Sequence, residues 1–229
     1  MSGASTAQRL KTDFSRAKKH LGRVELTEFF ETEARRCGYR FVAGLDEAGR
    51  GPLAGPVVAA AVILPRRCPL TGLQDSKQVA EPERERLYGE IARRALGVGI
   101  GVATAREIDA MNILEATRLA MGRAIQALAP SPNFLLIDAV TLPSVRVPQR
   151  AIIKGDGLSV CIAAASIMAK VSRDRLMRDY HRRYPQYNFQ AHKGYPTSEH
   201  LRLLATHGPC AIHRRTFHPV LLKTGRGGG

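Results

Sequence analysis

The stretch GLDEAGRGPLAGPVVAAAVIL, residues 44–64, decides the fold of this chain. It overlaps a first apolar run, FVAGLD at 41–46, and ends with a second, VVAAAVIL at 57–64. Short apolar runs bounded by turn residues are typical of buried strands. The segment between them is rich in Gly and Pro, which predicts a turn. The second run is also too short to span a bilayer.

The sequence on either side of this stretch predicts an α/β domain. We expect the early strands to form an antiparallel meander and the later ones, which alternate with helices, to pair in parallel. Further strands are predicted at 98–104, 133–138 and 150–156, and helices at 24–36, 82–96, 107–128, 158–183 and 197–206.

Acidic residues follow three of the predicted strands: Asp46 with Glu47, then Asp138, then Asp156. An apolar context rarely tolerates a carboxylate unless it is paired or binds a metal. Carboxylate oxygens without nearby His or Cys suit Mg²⁺ or Mn²⁺ rather than zinc. Two such ions about 4 Å apart would clamp the attacking water and the leaving oxygen of a phosphodiester.

Two of these acid positions allow other interpretations. Asp156 directly precedes a predicted helix and could cap it instead. Asp46 and Glu47 are neighbours, and neighbouring strand residues point to opposite faces of a sheet. Therefore either the backbone breaks at Glu47, which Gly49 and Gly51 make plausible, or Glu47 offers its carbonyl oxygen as well as its carboxylate.

Two loop motifs could contact a nucleic acid. The turn Gly49-Arg50-Gly51 exposes backbone groups that can approach a ligand closely, such as a sugar 2′-hydroxyl. Tyr195, in the basic segment QAHKGYPT at 190–197, could stack on a sugar or a base. Taken alone, each has an ordinary structural meaning: a tight turn between strands and a half-buried tyrosine.

The charge of the chain favours a polyanionic partner. Its 35 Lys and Arg against 20 Asp and Glu give a net charge of +15, and basic side chains gain affinity by releasing the counterions of phosphates. From Lys170 to the end there are 12 basic and 3 acidic residues, a net of +9, and six of the seven His. The C-terminal third is therefore the predicted nucleic-acid face.

The remaining composition indicates a cytoplasmic protein with reduced thiols. Its four Cys form no C-x-x-C pair, which argues against a zinc or redox site. The first residues have no apolar core typical of a signal peptide, although their basic, acid-poor composition leaves a transit peptide open. We expect residues 1–40 to be a basic extension, partly disordered or helical, and 221–229 to be a disordered tail.

Over residues 41–220 the sequence resembles the ribonuclease HII family. Several long motifs in the correct order carry more weight than one short pattern. The resemblance rests on GLDEAGRGPLAGPVVAAAVIL (44–64), LQDSKQV (73–79), IDAMNILEATRLAM (108–121), LLIDAV (135–140), IIKGDGLSVCIAAASIMAKVSRD (152–174), HKGYPT (192–197) and HRRTFHPV (213–220).

This resemblance implies a ribonuclease H-like mixed sheet flanked by helices, with a helical C-terminal part. It implies an endonuclease that cuts the RNA strand of RNA–DNA hybrids, and cuts 5′ of single ribonucleotides in DNA, leaving 3′-hydroxyl and 5′-phosphate ends. The acids would be catalytic residues and ligands for Mg²⁺ or Mn²⁺, and the Gly49-Arg50-Gly51 turn with Tyr195 would recognise the junction of ribonucleotide and DNA. The implied residues are Asp46, Glu47, Asp138 and Asp156 as acids, and Lys77, Asn112, Thr117 and Lys170 as further substrate-backbone contacts.

Two departures from the family pattern and several rival functions remain. Residues 1–40 lie mostly outside the pattern, and no role is assigned to them. Asn188 stands where we expect Gly, in the loop before Tyr195. The closest rival is a ribonuclease HIII-like nuclease acting on hybrids alone, which would lack the turn and tyrosine and carry a larger N-terminal domain. More distant rivals are another nuclease or integrase on the same core, and a non-catalytic nucleic-acid-binding protein, which would not retain four carboxylates. We expect a monomer without membrane association.

Overall fold

A computed structural model describes residues 26–220 and shows a five-stranded mixed sheet at the centre of the domain. The strand order is β3-β2-β1-β4-β5. β1 pairs antiparallel with β2, and β2 with β3, whereas β1 pairs in parallel with β4, and β4 with β5. This confirms the predicted antiparallel start and parallel end. The strands are β1 Val42–Ala48, β2 Val57–Ile63, β3 Gly97–Ala103, β4 Phe134–Asp138 and β5 Gln149–Ile152.

Seven helices lie within residues 26–220. Two 3₁₀ turns, Gly155–Gly157 and Pro185–Tyr187, flank the longest of them. No helix in this described part of the chain is long and apolar enough to cross a membrane. The helices are α1 Phe29–Arg36, α2 Glu81–Arg94, α3 Ala105–Met111, α4 Ile113–Gln126, α5 Val160–Arg183, α6 Phe189–His192 and α7 Ser198–His207.

The sheet is buried on both faces, so β2 is apolar at every position. Ala59 and Ala61 pack on the side of α4, whereas Ala60 and Val62 pack on the side of α5. Helix α5 approaches β1 very closely: a Cβ on Gly44 would lie 2.1 Å from the backbone of Cys161. The N-terminal end of α5 therefore packs directly against β1, the strand that carries Asp46.

The predicted helix at 107–128 is wrong in one respect, because the structure breaks it into α3 and α4 at Asn112. Asn112 has φ 80° and ψ 166°, which no helix allows, and its side chain accepts from the N–H groups of Leu114 and Glu115. It thus ends one helix and caps the next. Apolar periodicity continues across the break, which explains why the sequence pattern concealed it.

The predicted strand at 150–156 is also too long. β5 ends at Ile152, and Lys154 adopts a left-handed conformation with φ 57° that a strand cannot contain. Asp156 consequently lies in the 3₁₀ turn before α5 instead of at a strand end.

Both ends of the described chain are anchored to the domain. The carboxylate of Glu31 in α1 accepts hydrogen bonds from Ser159 Oγ at 2.5 Å and Cys161 N at 2.9 Å, at the start of α5. Helices α6 and α7 form the predicted helical C-terminal part, and Phe189 there packs with Met177 of α5. The expectations for the basic arm before residue 26 and for the tail at 221–229 lie outside the described residues.

Candidate active site

Asp46 lies near the end of β1 on the face covered by α5. It pairs in register with Ala60, which packs on that same face. Its side chain is buried and interacts with Ser166 of α5. Burial, and then the charge of neighbouring Glu47, raise the pKa of Asp46 well above its usual range.

Asp138 and Asp156 reach the same place from two other segments. Asp138 is the last residue of β4, and its Oδ1 accepts from Gly155 N at 2.8 Å. This bond fastens the 3₁₀ turn that carries Asp156 to the end of β4. Asp156 does not cap α5, because Ser159 is the N-cap and accepts from Ile162 N. The capping interpretation of Asp156 is therefore wrong.

Asp46, Asp138 and Asp156 form one cluster in which each offers an oxygen within 4.8 Å of the others. Burial is the main reason that the pKa of Asp138 is raised, and the charge of Asp156 raises it further. Carboxylates held this close repel one another unless a cation lies between them. The donor set, oxygen only, suits a hard divalent cation.

Glu47 stands beside this cluster on the opposite face of the strand. The strand stays regular through Glu47 and Ala48, and the chain turns at Gly49, with φ 96°. Of the two alternatives for Glu47, a backbone break at that residue is therefore wrong, and a role for its carbonyl oxygen stays a prediction. Glu47 Oε1 accepts from Arg50 Nη1 at 3.2 Å, whereas Oε2 is buried with no hydrogen-bond partner in the described protein. A buried carboxylate oxygen without a partner is costly, and a bound cation would satisfy it.

The segment LQDSKQV supplies a cation at the rim of the cluster. Lys77 Nζ lies 3.6 Å from Asp156 Oδ2 and 3.9 Å from Asp75 Oδ1, and its side chain is 77% exposed. Burial alone would lower the pKa of Lys77, but the charges of Asp75 and Asp156 outweigh it and raise that pKa. No sequence pattern indicated Ser76, whose hydroxyl lies 2.8 Å from that of Ser166, the serine that interacts with Asp46.

The Gly49-Arg50-Gly51 turn and Tyr195 are brought together although they are far apart in sequence. A Cβ on Gly51 would lie 3.9 Å from Cε1 of the Tyr195 ring. Leu53 N donates to Gly194 O at 2.9 Å and ties the two loops. Arg50, Gly51 and Tyr195 are all exposed, so they form one accessible surface next to Glu47.

Asn188 occupies a left-handed position with φ 52°, which explains how it fits where we expected Gly. Asn adopts this conformation more readily than most residues with a side chain. Its amide Nδ2 also donates to Glu199 Oε1 at 2.9 Å, which ties the loop before Tyr195 to α7.

The other predicted substrate contacts are not all accessible. Thr117 is fully buried and donates to Ile113 O, so direct contact with a substrate backbone is wrong for this residue. Lys170 Nζ is engaged by Asp174 Oδ1 at 2.7 Å. Asn112 is exposed, but its side-chain oxygen caps α4. Of the four, Lys77 alone is placed beside the acids by these contacts.

Solved structures with this architecture define the class of protein. The ribonuclease H2 of Pyrococcus horikoshii matches with a TM-score of 0.66 and 28% identity over 80% of this chain and 96% of that one. The ribonuclease HII of Archaeoglobus fulgidus, solved in complex with PCNA, matches with a TM-score of 0.65 and 25% identity over 78% and 95%. With the carboxylate cluster, the fold is that of a ribonuclease H endonuclease, a metal-dependent hydrolase acting on nucleic acid.

The chain belongs to the ribonuclease HII family. The sequence model of that family matches residues 43–220. The ribonuclease HII of Desulfitobacterium hafniense is 57% identical over 80% of this chain and 70% of its own length, and that of Bacillus subtilis is 54% identical over 86% and 76%. This membership confirms the predicted resemblance and excludes a non-catalytic nucleic-acid-binding protein.

Proposed function

We propose that this enzyme hydrolyses the RNA strand of RNA–DNA hybrids and also cuts 5′ of single ribonucleotides embedded in duplex DNA. The products are 3′-hydroxyl and 5′-phosphate ends, and the role is removal of misincorporated ribonucleotides. Residues 41–220 form the catalytic unit, which acts as a monomer in the cytoplasm. The observation that carries the proposal is the accessible surface of Gly49-Arg50-Gly51 and Tyr195 next to Glu47, whose carboxylate Arg50 contacts.

Two Mg²⁺ or Mn²⁺ ions are the proposed cofactor. The fit rests on three clustered carboxylates and on the unpartnered Oε2 of Glu47. Asp46, Glu47, Asp138 and Asp156 would hold the ions, which polarise a phosphodiester and lower the pKa of water when bound.

The protein's own groups orient the substrate around that site. The exposed ammonium of Lys77 lies beside Asp156 and can bind a phosphate of the strand to be cut. The hydrogen bond from Gly155 N to Asp138 fixes the position of two acids relative to each other. The positions of these groups are therefore set before substrate arrives, as efficient positioning requires.

Junction reading needs two separate contacts, because one 2′-hydroxyl barely changes the shape of a duplex. Backbone groups of Gly49-Arg50-Gly51 would contact the hydroxyl itself. The ring of Tyr195 would pack on the following deoxyribose, where a ribose hydroxyl would crowd it. A ribonuclease HIII-like function on hybrids alone would not need either contact.

Mapping the cut sites on two labelled duplexes tests the proposal. One carries a single ribonucleotide and the other is an RNA–DNA hybrid of equal length. Tyr195→Ala should lose much more activity on the first duplex than on the second, where many registers are available. Tyr195→Phe is the matched control and should show a milder loss, because it keeps the ring. A wild-type enzyme that cuts the long hybrid alone would refute junction reading.

A further inference from the structure

Two arginines are completely buried beneath the Gly49-Arg50-Gly51 turn. Arg173 lies in α5 and is 1% exposed, and Arg214 follows α7 and is 0% exposed. Arginine is almost never fully buried unless its charge is paired. The site described so far uses neither guanidinium, so their burial requires an explanation.

All six hydrogen bonds of these guanidinium groups go to backbone carbonyls. Arg214 donates to Gly49 O, to Arg50 O at 2.8 Å and to Gly55 O at 3.0 Å. Arg173 donates to Pro56 O at 3.0 Å, Ala54 O at 3.3 Å and Lys193 O at 3.0 Å. The two side chains thus hold five of the eight carbonyls from Gly49 to Pro56, at both ends of that segment.

Within residues 26–220 neither guanidinium has a carboxylate partner. Asp174, the nearest acid in sequence, pairs with Lys170 and Arg84 instead. Burial, followed by the charge of Arg173, lowers the pKa of Arg214. An arginine nevertheless keeps its proton under ordinary conditions, so two positive charges without an ion-paired carboxylate lie under the turn. A hydrophobic residue would cost less there if packing were its only role.

The direction of the peptide units follows from these bonds. In a trans peptide the C=O and the N–H point in opposite directions. Arg214 draws the carbonyls of Gly49 and Arg50 inward, so the following N–H groups, of Arg50 and Gly51, are turned away from the buried guanidinium. Both residues are exposed, and neither N–H donates a hydrogen bond within the described protein.

Arg173 connects the same turn to the loop of Tyr195. Its Nη2 contacts Lys193 O, and its guanidinium carbon lies 5.8 Å from the centre of the Tyr195 ring. The turn also packs directly on Arg173, because a Cβ on Gly49 would lie 2.0 Å from Nε of Arg173. Turn and tyrosine are therefore held by one pair of side chains.

We propose that Arg214 and Arg173 are positioning residues for junction recognition. They fix the N–H groups of Arg50 and Gly51 as an outward donor pair, and they hold the Tyr195 ring at a set distance from it. The donors face the ribose 2′-hydroxyl of the substrate, whose oxygen carries a partial negative charge that suits donors backed by buried cations. This inference rests on the proposed function, because it explains how the same surface would read a junction.

Substitution of Arg214 separates positioning from stability. Arg214→Lys keeps the charge but offers one donor centre in place of a planar fork, and Arg214→Gln removes the charge. Arg215→Gln is the matched control, since Arg215 is an exposed neighbour whose loss changes the net charge equally. The measurement is kcat/KM on the single-ribonucleotide duplex divided by kcat/KM on the hybrid, with the thermal midpoint recorded for each variant.

We expect the ratio to fall roughly 10- to 100-fold in both Arg214 variants, the effect of losing hydrogen bonds to a charged group. It should stay unchanged in Arg215→Gln. An unchanged ratio in the Arg214 variants would overturn the positioning role, whether it comes from equal losses on both substrates or from no loss on either.

Amide NMR of the wild-type enzyme keeps the test decisive if an Arg214 variant fails to fold. The Arg50 and Gly51 amides should shift with the single-ribonucleotide duplex and not with the same duplex made wholly of DNA. Identical responses would overturn the inference while leaving junction cleavage intact. Failure of wild-type enzyme to cut the single-ribonucleotide duplex at all would instead refute the proposed function, and with it this inference.

Discussion

At the scale of single residues, Asp46 carries the clearest electrostatic cost. Its carboxylate is buried next to Glu47 and Asp138, both of which raise its pKa after burial itself. A raised pKa means that the folded state keeps the proton where the unfolded state has lost it. The metal-free protein therefore loses stability as the pH rises through that range. This cost is typical of a site built to bind cations.

Asp46→Asn should therefore abolish cleavage and, without divalent ions, raise the free energy of unfolding at neutral pH, because the variant no longer buries a carboxylate. Hybrid binding should be largely kept, because no phosphate contact is lost. Calorimetry with and without Mg²⁺, and cleavage of a labelled hybrid, check both parts. Asp138→Asn should likewise abolish cleavage and largely keep hybrid binding. Near wild-type cleavage by either variant would remove that residue from the site.

The candidate acids could be predicted from sequence, whereas the residues that arrange them could not. Asp46 and Asp138 stand out because a carboxylate at the end of an apolar run is unusual. Arg173 and Arg214 stand in basic motifs, and the sequence therefore predicts that both are exposed. Tertiary packing buries them, and no local pattern indicates that burial. The exclusion of Thr117 likewise needed its burial to be known.

At the scale of elements, the break between α3 and α4 depends on Asn112. Its φ of 80° and ψ of 166° lie in a region that is essentially restricted to Gly, and its side chain caps α4. Local sequence gave no sign of this, since the apolar pattern continues through it. Strand direction was predictable, because the first strands follow one another without helices and the later ones alternate with helices.

Asn112→Ala should lower the free energy of unfolding by about 1–2 kcal/mol, since it loses the cap while the strained backbone remains. Asn112→Gly is the matched comparison and should cost less than about 1 kcal/mol, because Gly relieves the strain and is a tolerated cap. Urea unfolding of both variants checks the order. Equal costs would show that the backbone at this position is not strained.

The histidines behind Tyr195 should make the C-terminal part sensitive to acid. His200 Nε2 and His213 Nε2 lie 3.1 Å apart, so one proton serves both. Burial, and then the charge of His200, lower the pKa of His213 to about 4 from 6.5. Because the unfolded chain takes up the proton first, stability falls as the pH drops from 6.5 towards 4, in total by on the order of 3 kcal/mol.

Urea unfolding between pH 7 and about 4.5 measures this loss. His213→Gln should flatten the dependence, and His207→Gln, at an exposed position of α7, should leave it unchanged. A wild-type profile without any decline would show that His213 is not a source of acid sensitivity.

At the scale of the whole molecule, the net charge of +15 and its concentration in the C-terminal third predict strongly salt-dependent binding. Each phosphate neutralised adds about 0.9 to the slope of log affinity against log salt. Fluorescence anisotropy with a labelled hybrid should therefore show a steep loss of affinity between low and physiological salt. Lys193→Gln, in the loop that carries Tyr195, should reduce the slope by about 1. Arg93→Gln, an exposed position in α2 with the same loss of charge, should not. Affinity that is insensitive to salt, or equal slopes for the two variants, would place the docking surface elsewhere than the C-terminal third.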